Sequence, residues 1–297
     1  MTYTYQLIEA PSILGPKPLG VELLPYALQR NGFLKESPTP LLVPTEVTDF
    51  SDKRASKYDV LNADKIAEYT IQLAEVIGQV RAKKLFPVVL GGDCSILLGC
   101  MLALKKDGVY GLAHVDAHAD FYQPEAEPYG EAASMDLALV VGRGPALLTD
   151  IHQLKPYVQE NHVVQLGQRD ADEADRAGSQ RIEDSAIHCF DLAAIQSKGI
   201  SAVLNEAIQQ LTVTELAGYW VHFDVDVLAD SIMPAVDYRI PGGISFDEAT
   251  EILQSLLQTS KACGLSITIF NPKLDPTGKL TQQLVDCLHR ALLINKT

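Results

Sequence analysis

Val109-Tyr110-Gly111-Leu112-Ala113-His114-Val115-Asp116-Ala117-His118-Ala119-Asp120 joins a run that reads as a buried strand to a cluster of acids around one histidine. The same construction recurs far downstream, where Gly218-Tyr219-Trp220-Val221-His222-Phe223 leads into Asp224-Val225-Asp226. In an extended chain, residues at i, i+2 and i+4 share one face, so Asp116, His118 and Asp120 are expected to converge, as are Asp224 and Asp226. Carboxylates gathered this closely repel one another unless cations sit between them. The pattern therefore points to a metal centre. The alternative is a set of solvated caps and turns at strand ends, and the cost of unpaired clustered charge weighs against it.

Outward from these clusters, strands alternate with helices. Residues 63–82 carry apolar side chains at helical spacing, with Ile66, Ile71, Leu73, Val76 and Ile77 as the expected stripe. Phe86–Leu90 reads as a buried strand that stops at Gly91-Gly92-Asp93-Cys94-Ser95, where paired glycines permit a tight turn before a helix over Ile96–Lys105. Val163–Leu166 and Ala186–Phe190 read as strands and Ala202–Leu211 as a helix. Ser245-Phe246-Asp247-Glu248 has the form of a capping box ahead of a helix over Ala249–Leu257. Leu265–Phe270 is the expected last strand and Leu280–Ile294 the closing helix. This order predicts an α/β three-layer sandwich, a mostly parallel sheet with helices on both faces and its site at the carboxyl ends of the strands. No low-complexity run or linker divides residues 1–297, so one domain is expected.

A formal net charge of −14 argues against non-specific nucleic-acid binding, which depends on Lys and Arg neutralising phosphate. The residues from Met1 to Pro11 lack a signal-peptide pattern, and no run approaches the roughly 18 apolar residues of a membrane helix. A cytoplasmic location without membrane partners is the default expectation. The five cysteines are odd in number and scattered, which is not a disulfide framework. Cys100, Cys189, Cys263 and Cys287 are read as buried small hydrophobes.

Taken in order, Gly20-Val21-Glu22, Gly91-Gly92-Asp93-x-Ser95, Asp116-x-His118-x-Asp120, Gly167-Gln168-Arg169-Asp170, Phe223-Asp224-Val225-Asp226, Pro241-Gly242-Gly243-Ile244 and Asn271-Pro272 make the chain resemble the ureohydrolase family, the arginases, agmatinases and their relatives. The resemblance implies two Mn²⁺ ions and a small guanidino substrate. Carried over, it gives one metal Cys94, Asp116, Asp120 and Asp224, and the other His118, Asp116, Asp224 and Asp226. It also implies a catalytic role for Asp120, which would orient the nucleophilic water and relay its proton to the leaving amine. Homo-oligomers occur in the family, yet no feature of this sequence demands an interface.

Three departures from the family pattern bear on the substrate. Cys94 stands where the family has a ligand histidine, and a thiolate is a softer donor that favours zinc or iron over manganese, while the oxygen-rich remainder pulls back toward manganese. Ala133 stands at the position of the arginase proton-shuttling histidine, and Ile269 at that of a glutamate that pairs with the substrate guanidinium. Around the substrate carboxylate the resemblance places Tyr122, Tyr129 and Glu131, and for the amino group Asp172 and Asp175. A Cys ligand with no shuttle histidine resembles the Nω-hydroxy-L-arginine hydrolases of D-cycloserine biosynthesis. That implies cleavage of Nω-hydroxy-L-arginine to ornithine and hydroxyurea. Arginase or another guanidino or formimino hydrolase is the alternative within the family, and a catalytically silent amino-acid or metal sensor is the alternative outside enzymes.

Competing roles remain for several of these residues. Cys94 could be an inert buried thiol. Asp172 could form a loop salt bridge with Arg169. His114 and His222, each two residues before a cluster aspartate, read first as packed core histidines and second as the edge of the cluster.

Overall fold

The computed structural model describes residues 3–16, 19–45, 53, 54, 56, 57 and 59–292. Its strands are β1 (Tyr5–Ala10), β2 (Leu41–Leu42), β3 (Phe86–Gly91), β4 (Tyr110–Val115), β5 (Val163–Leu166), β6 (His188–Phe190), β7 (Gly218–Asp224) and β8 (Ala262–Thr268). They form one sheet in the order β2-β1-β3-β8-β7-β4-β5-β6, and every pairing is parallel. Parallel neighbours need crossovers, and the intervening helices cover both faces.

Period-two alternation feeds two cores. Leu7, Val88, Val115, Val164 and Val221 join the one beneath helices Leu24–Arg30, Ile200–Leu211, Phe246–Leu257 and Lys279–Ala291. Ile8, Val89, Leu112, Val163 and Trp220 join the one beneath Ala63–Ala82 and Leu97–Lys105. Within the long helix, Ile66, Leu73 and Ile77 are buried while Ile71 and Val76 are partly covered. The capping box at Ser245 and Glu248 is formed, a device worth about 1 kcal/mol. The closing helix ends at Ala291; Ile294, to which the expectation extended, lies outside the described residues, as does Met1.

Two elements escape the sequence pattern. β1 is interrupted by Gln6 and Glu9, yet Gln6 is buried because its Nε2 donates to the carbonyls of Leu7 and Thr39, both at 3.0 Å. β2 is only two residues long. All five cysteines are free. Cys100 and Cys287 are buried as expected, but Cys189 and Cys263 are only partly so. Among the described residues no helix is long and apolar enough to cross a membrane.

In chain order β3 and β4 are consecutive, yet in the sheet β8 and β7 lie between them. The connections therefore diverge above these four strands, and a crevice opens at their carboxyl ends.

Candidate metal centre

Each of the four central strands ends in the same local device. Asp93 Oδ1 accepts from Ser95 N at 2.8 Å after β3, and Asp116 Oδ1 from His118 N at 2.7 Å after β4. Asp224 Oδ1 accepts from Asp226 N at 2.8 Å at the end of β7, and Asn271 Oδ1 from Lys273 N at 3.1 Å beyond β8. Such side-chain turns compete with the strand ladder and end it. Convergence is thus achieved differently from the sequence expectation. Asp116, His118 and Asp120 come together on a turn rather than on a continued pleat, with Asp120 at φ 46°, a left-handed conformation that Asp tolerates. Asp226 likewise sits on a 3₁₀ turn, Val225–Val227.

The glycine turn also works by a different cause. Neither Gly91 nor Gly92 has positive φ. A Cβ on Gly92 would instead lie 1.9 Å from the Ser12 carbonyl oxygen, so the missing side chain lets two backbones touch. That contact seats Cys94 at the start of the turn Cys94–Ile96, 1% exposed.

All six residues expected to hold metal meet at this crevice. Cys94 Sγ is 2.8 Å from Asp224 Oδ2 and 3.2 Å from Thr268 Oγ1. His118 Nδ1 is 2.9 Å from Asp226 Oδ2, whose other oxygen accepts from Ala117 N at 3.2 Å. Ligand atoms of Asp116, His118 and Asp226 lie within 4.8 Å of one another, as do those of Cys94, Asp116, His222 and Asp224, and those of Cys94, Asp120 and Asp136. Asp116 belongs to both of the first two groups, and its Oδ2 is buried without a hydrogen-bond partner. An orphaned carboxylate oxygen at the overlap of two donor groups fits a bridging cation ligand.

Electrostatics agree. Burial and then Asp226 raise the Asp116 carboxyl to about 6, and burial with neighbouring aspartates holds Asp120 and Asp224 well above the usual range. Burial and then Asp224 push the Cys94 thiol up. Burial is the largest influence on Asp226 and raises it, but His118 together with hydrogen bonding that involves Asp224 and the Ala117 amide makes the net shift downward. Each upward shift measures how poorly this pocket tolerates its own negative charge, which bound cations would relieve.

Above the cluster opens a cleft of about 560 Å³. Its walls include Tyr122, Tyr129, Ala133 and Ile269, together with Asp170, Glu173, Arg176 and Tyr238. Ile269 has φ 70°, unusual for a β-branched residue, and is held by its N–H donating to the Gly92 carbonyl at 2.8 Å. Glu131 is buried and accepts from the Tyr238 hydroxyl. Asp172 and Asp175 are exposed on helix Ala171–Ala177, outside that lining, and Asp175 pairs with Arg181 at 3.0 Å. Arg169 is not paired with Asp172. Its guanidinium donates to the carbonyls of Asp226 at 2.8 Å and of Val227 and Leu228 at 3.3 Å, tying down the loop that carries Asp226.

Several residues of the site escape the sequence reading. Asp136 is fully buried with both carboxylate oxygens unpartnered, 3.5 Å from His114 Nε2 and 3.8 Å from His222 Nε2. A lone acid between Met135 and Leu137 was the available signal, since an acid in an apolar run is either exposed or serving a buried site. Asp170, which accepts from Ala119 N at 3.1 Å, sat at the end of a recognised segment. His114 and His222, by contrast, read from the sequence as packed core histidines first and the cluster's edge second; both are fully buried and stacked, ring centroids 5.1 Å apart.

Fold and site together define a parallel-sheet α/β scaffold with a buried acid and histidine cluster compatible with a metal centre. A family model described as the arginase family matches residues 14–294, and the chain belongs to that family. It is 29% identical over 290 residues to an arginase of Staphylococcus aureus (strain MRSA252), covering 94% of this chain and 93% of that one. Against an arginase of Brevibacillus brevis it is 30% identical over 285 residues, covering 93% of each. The solved arginase of Bacillus caldovelox superposes with a TM-score of 0.88 at 26% identity, covering 99% of both chains.

Proposed function

We propose that this chain is a binuclear manganese hydrolase that cleaves the guanidino C–N bond of an arginine-like amino acid, with Nω-hydroxy-L-arginine as substrate and ornithine and hydroxyurea as products. The carrying observation is the pair of donor groups that share Asp116, one containing Cys94 and the other His118. Cys94, Asp116, Asp120 and Asp224 would hold one ion, and His118, Asp116, Asp224 and Asp226 the other. Two bound divalent cations supply a hydroxide nucleophile near neutral pH.

Asp120 is the residue placed to handle the proton. Its carboxylate lines the cleft beside Cys94 and Asp224, where it can accept a proton from the attacking water. It then passes that proton to the departing alkyl amine as the C–N bond breaks and the new C–O bond remains. Ala133 has no group for this task.

Ile269 in the cleft wall supports the hydroxylated substrate. An N-hydroxyguanidine is less basic than a guanidine and can bind neutral, so it does not need a carboxylate where this chain has an alkyl group. Tyr122 would contact the substrate from the cleft wall, with Glu131 acting through Tyr238. Asp172 and Asp175 remain proposed for the amino group, and from their exposed positions they would have to reach it across the rim.

The test is a substrate panel on manganese-loaded protein: arginine, Nω-hydroxy-L-arginine, agmatine, guanidinobutyrate, guanidinopropionate and formiminoglutamate. Faster hydrolysis of L-arginine than of the hydroxylated compound would overturn the substrate assignment. Arginase is the second reading, favoured by the two relatives that bear that name. Retention of fewer than two cations after manganese loading would instead favour a silent sensor. The reading takes residues 1–297 as one cytoplasmic ureohydrolase-like unit.

A further inference from the structure

His114, His222 and Ser266 form one row across β4, β7 and β8, in direct register. The next row on the same face, two residues on, carries Asp116, Asp224 and Thr268. The histidine row is therefore the floor of the acidic cluster. His222 is anchored there, with Nδ1 2.9 Å from Ser266 Oγ, and Ser266 Oγ also accepts from Trp220 Nε1 at 2.9 Å. That leaves Nε2 facing the cluster, 3.4 Å from Thr268 Oγ1. Thr268 Oγ1 in turn lies 3.2 Å from Cys94 Sγ and 3.3 Å from Asp224 Oδ2.

We propose that His222 is a direct ligand of the cation on the Cys94 side, so that the imidazole missing from the glycine turn is supplied by β7, two strands away. This rests on the binuclear reading above. His222 shares a common sphere with Cys94, Asp116 and Asp224, whose ligand atoms all lie within 4.8 Å of one another and whose side chains are all buried. Its second nitrogen is engaged, as in histidines that bind metal, where a partner on the far nitrogen fixes the ring and its tautomer. His114 lacks that arrangement: its Nδ1 has no hydrogen-bond partner, and its Nε2 lies 3.5 Å from Asp136 Oδ1. With Asp120 included, the donor set is one sulfur, one nitrogen and three carboxylates. Because it includes sulfur it is softer than the set around His118, so of the two sites this one should exchange manganese for cobalt or zinc more readily.

Two measurements on the full-length protein test this. In the first, His118→Ala removes the other imidazole donor, and pulsed electron paramagnetic resonance of the Mn²⁺ that remains bound should still show imidazole nitrogen coupling. The coupling should vanish in His118→Ala/His222→Asn. Its absence from the single variant, or its survival in the double, overturns the proposal. In the second, a crystal of the manganese-loaded, unsubstituted protein should place His222 Nε2 at bonding distance, about 2.0–2.3 Å from the ion; a ring turned away overturns the proposal without help from any variant. If the unsubstituted protein retains no cation, the metal-centre reading fails and this inference with it. If it retains two and His222 stands apart, only this inference fails.

Discussion

His118 Nδ1 lies 2.9 Å from Asp226 Oδ2, which links the turn after β4 to the turn after β7. In the metal-free protein this contact holds together two residues proposed for the same cation. Replacing Asp226 with Asn keeps an oxygen for the Ala117 amide but removes the charge. We expect the metal-free fold to persist, one cation to be lost on loading, and activity to drop by about 100-fold or more. Elemental analysis with steady-state kinetics checks this.

Metal and pH should act together on stability. The folded pKa of Asp116, about 6, lies above its unfolded value near 3.9. Without cations, its protonated form therefore stabilises the fold. That contribution is complete below about pH 4 and is lost as pH rises through 6. Cations bind the deprotonated carboxylate and should reverse the trend. The difference in Tm between manganese-loaded and chelator-treated protein should widen from pH 5 to pH 7. A gap that stays constant across that range would count against the cluster as a cation site.

Gly92→Ala tests the close approach at the glycine turn. Its Cβ would fall 1.9 Å from a backbone oxygen that has no flexible side chain to yield. We expect a loss of about 3 kcal/mol or more, by overpacking, together with weakened metal retention because Cys94 is displaced. Denaturant unfolding of the metal-free protein separates the two effects.

Arg169→Ala removes the guanidinium that donates to the carbonyls of Asp226, Val227, Leu228 and Ile240, of which Val227 keeps the Ile244 amide. Hydrogen bonds to a charged group contribute about 1.5–3 kcal/mol each at most and are not additive, so a loss of about 2–4 kcal/mol is expected. Lys cannot reproduce the forked geometry and should recover only part of it. Unfolding curves of the two variants and the parent provide the comparison.

Ile269→Glu should shift selectivity toward a charged guanidinium. A carboxylate in the cleft wall would pair with arginine and gain little with a neutral N-hydroxyguanidine. The ratio of kcat/KM for arginine to that for the hydroxylated substrate should rise by about tenfold or more. No change would show that position 269 does not face the guanidino group.

The alternation of strands and helices, the layered α/β class and the two acidic clusters could be read from the chain alone, because strand burial and strand-end acids leave local signals in residue type and spacing. Val163–Leu166 and the Ser245 capping box fell where expected for that reason. Tertiary structure alone decided the rest. β1 hides behind Gln6 and Glu9, whose side chains find distant partners in the Thr39 carbonyl and the Gln29 amide. Asp136, His114 and His222 meet because β4 and β7 are neighbours and the turn bearing Asp136 folds over them, a coincidence of distant segments that no spacing encodes. Which face of helix Ala171–Ala177 meets the cleft was likewise settled by packing, and it put Glu173 and Arg176 on the wall with Asp172 and Asp175 outside it. Local chemistry writes periodicity into a sequence, whereas the meeting of side chains across strands depends on sheet order and on how the chain turns when each strand ends.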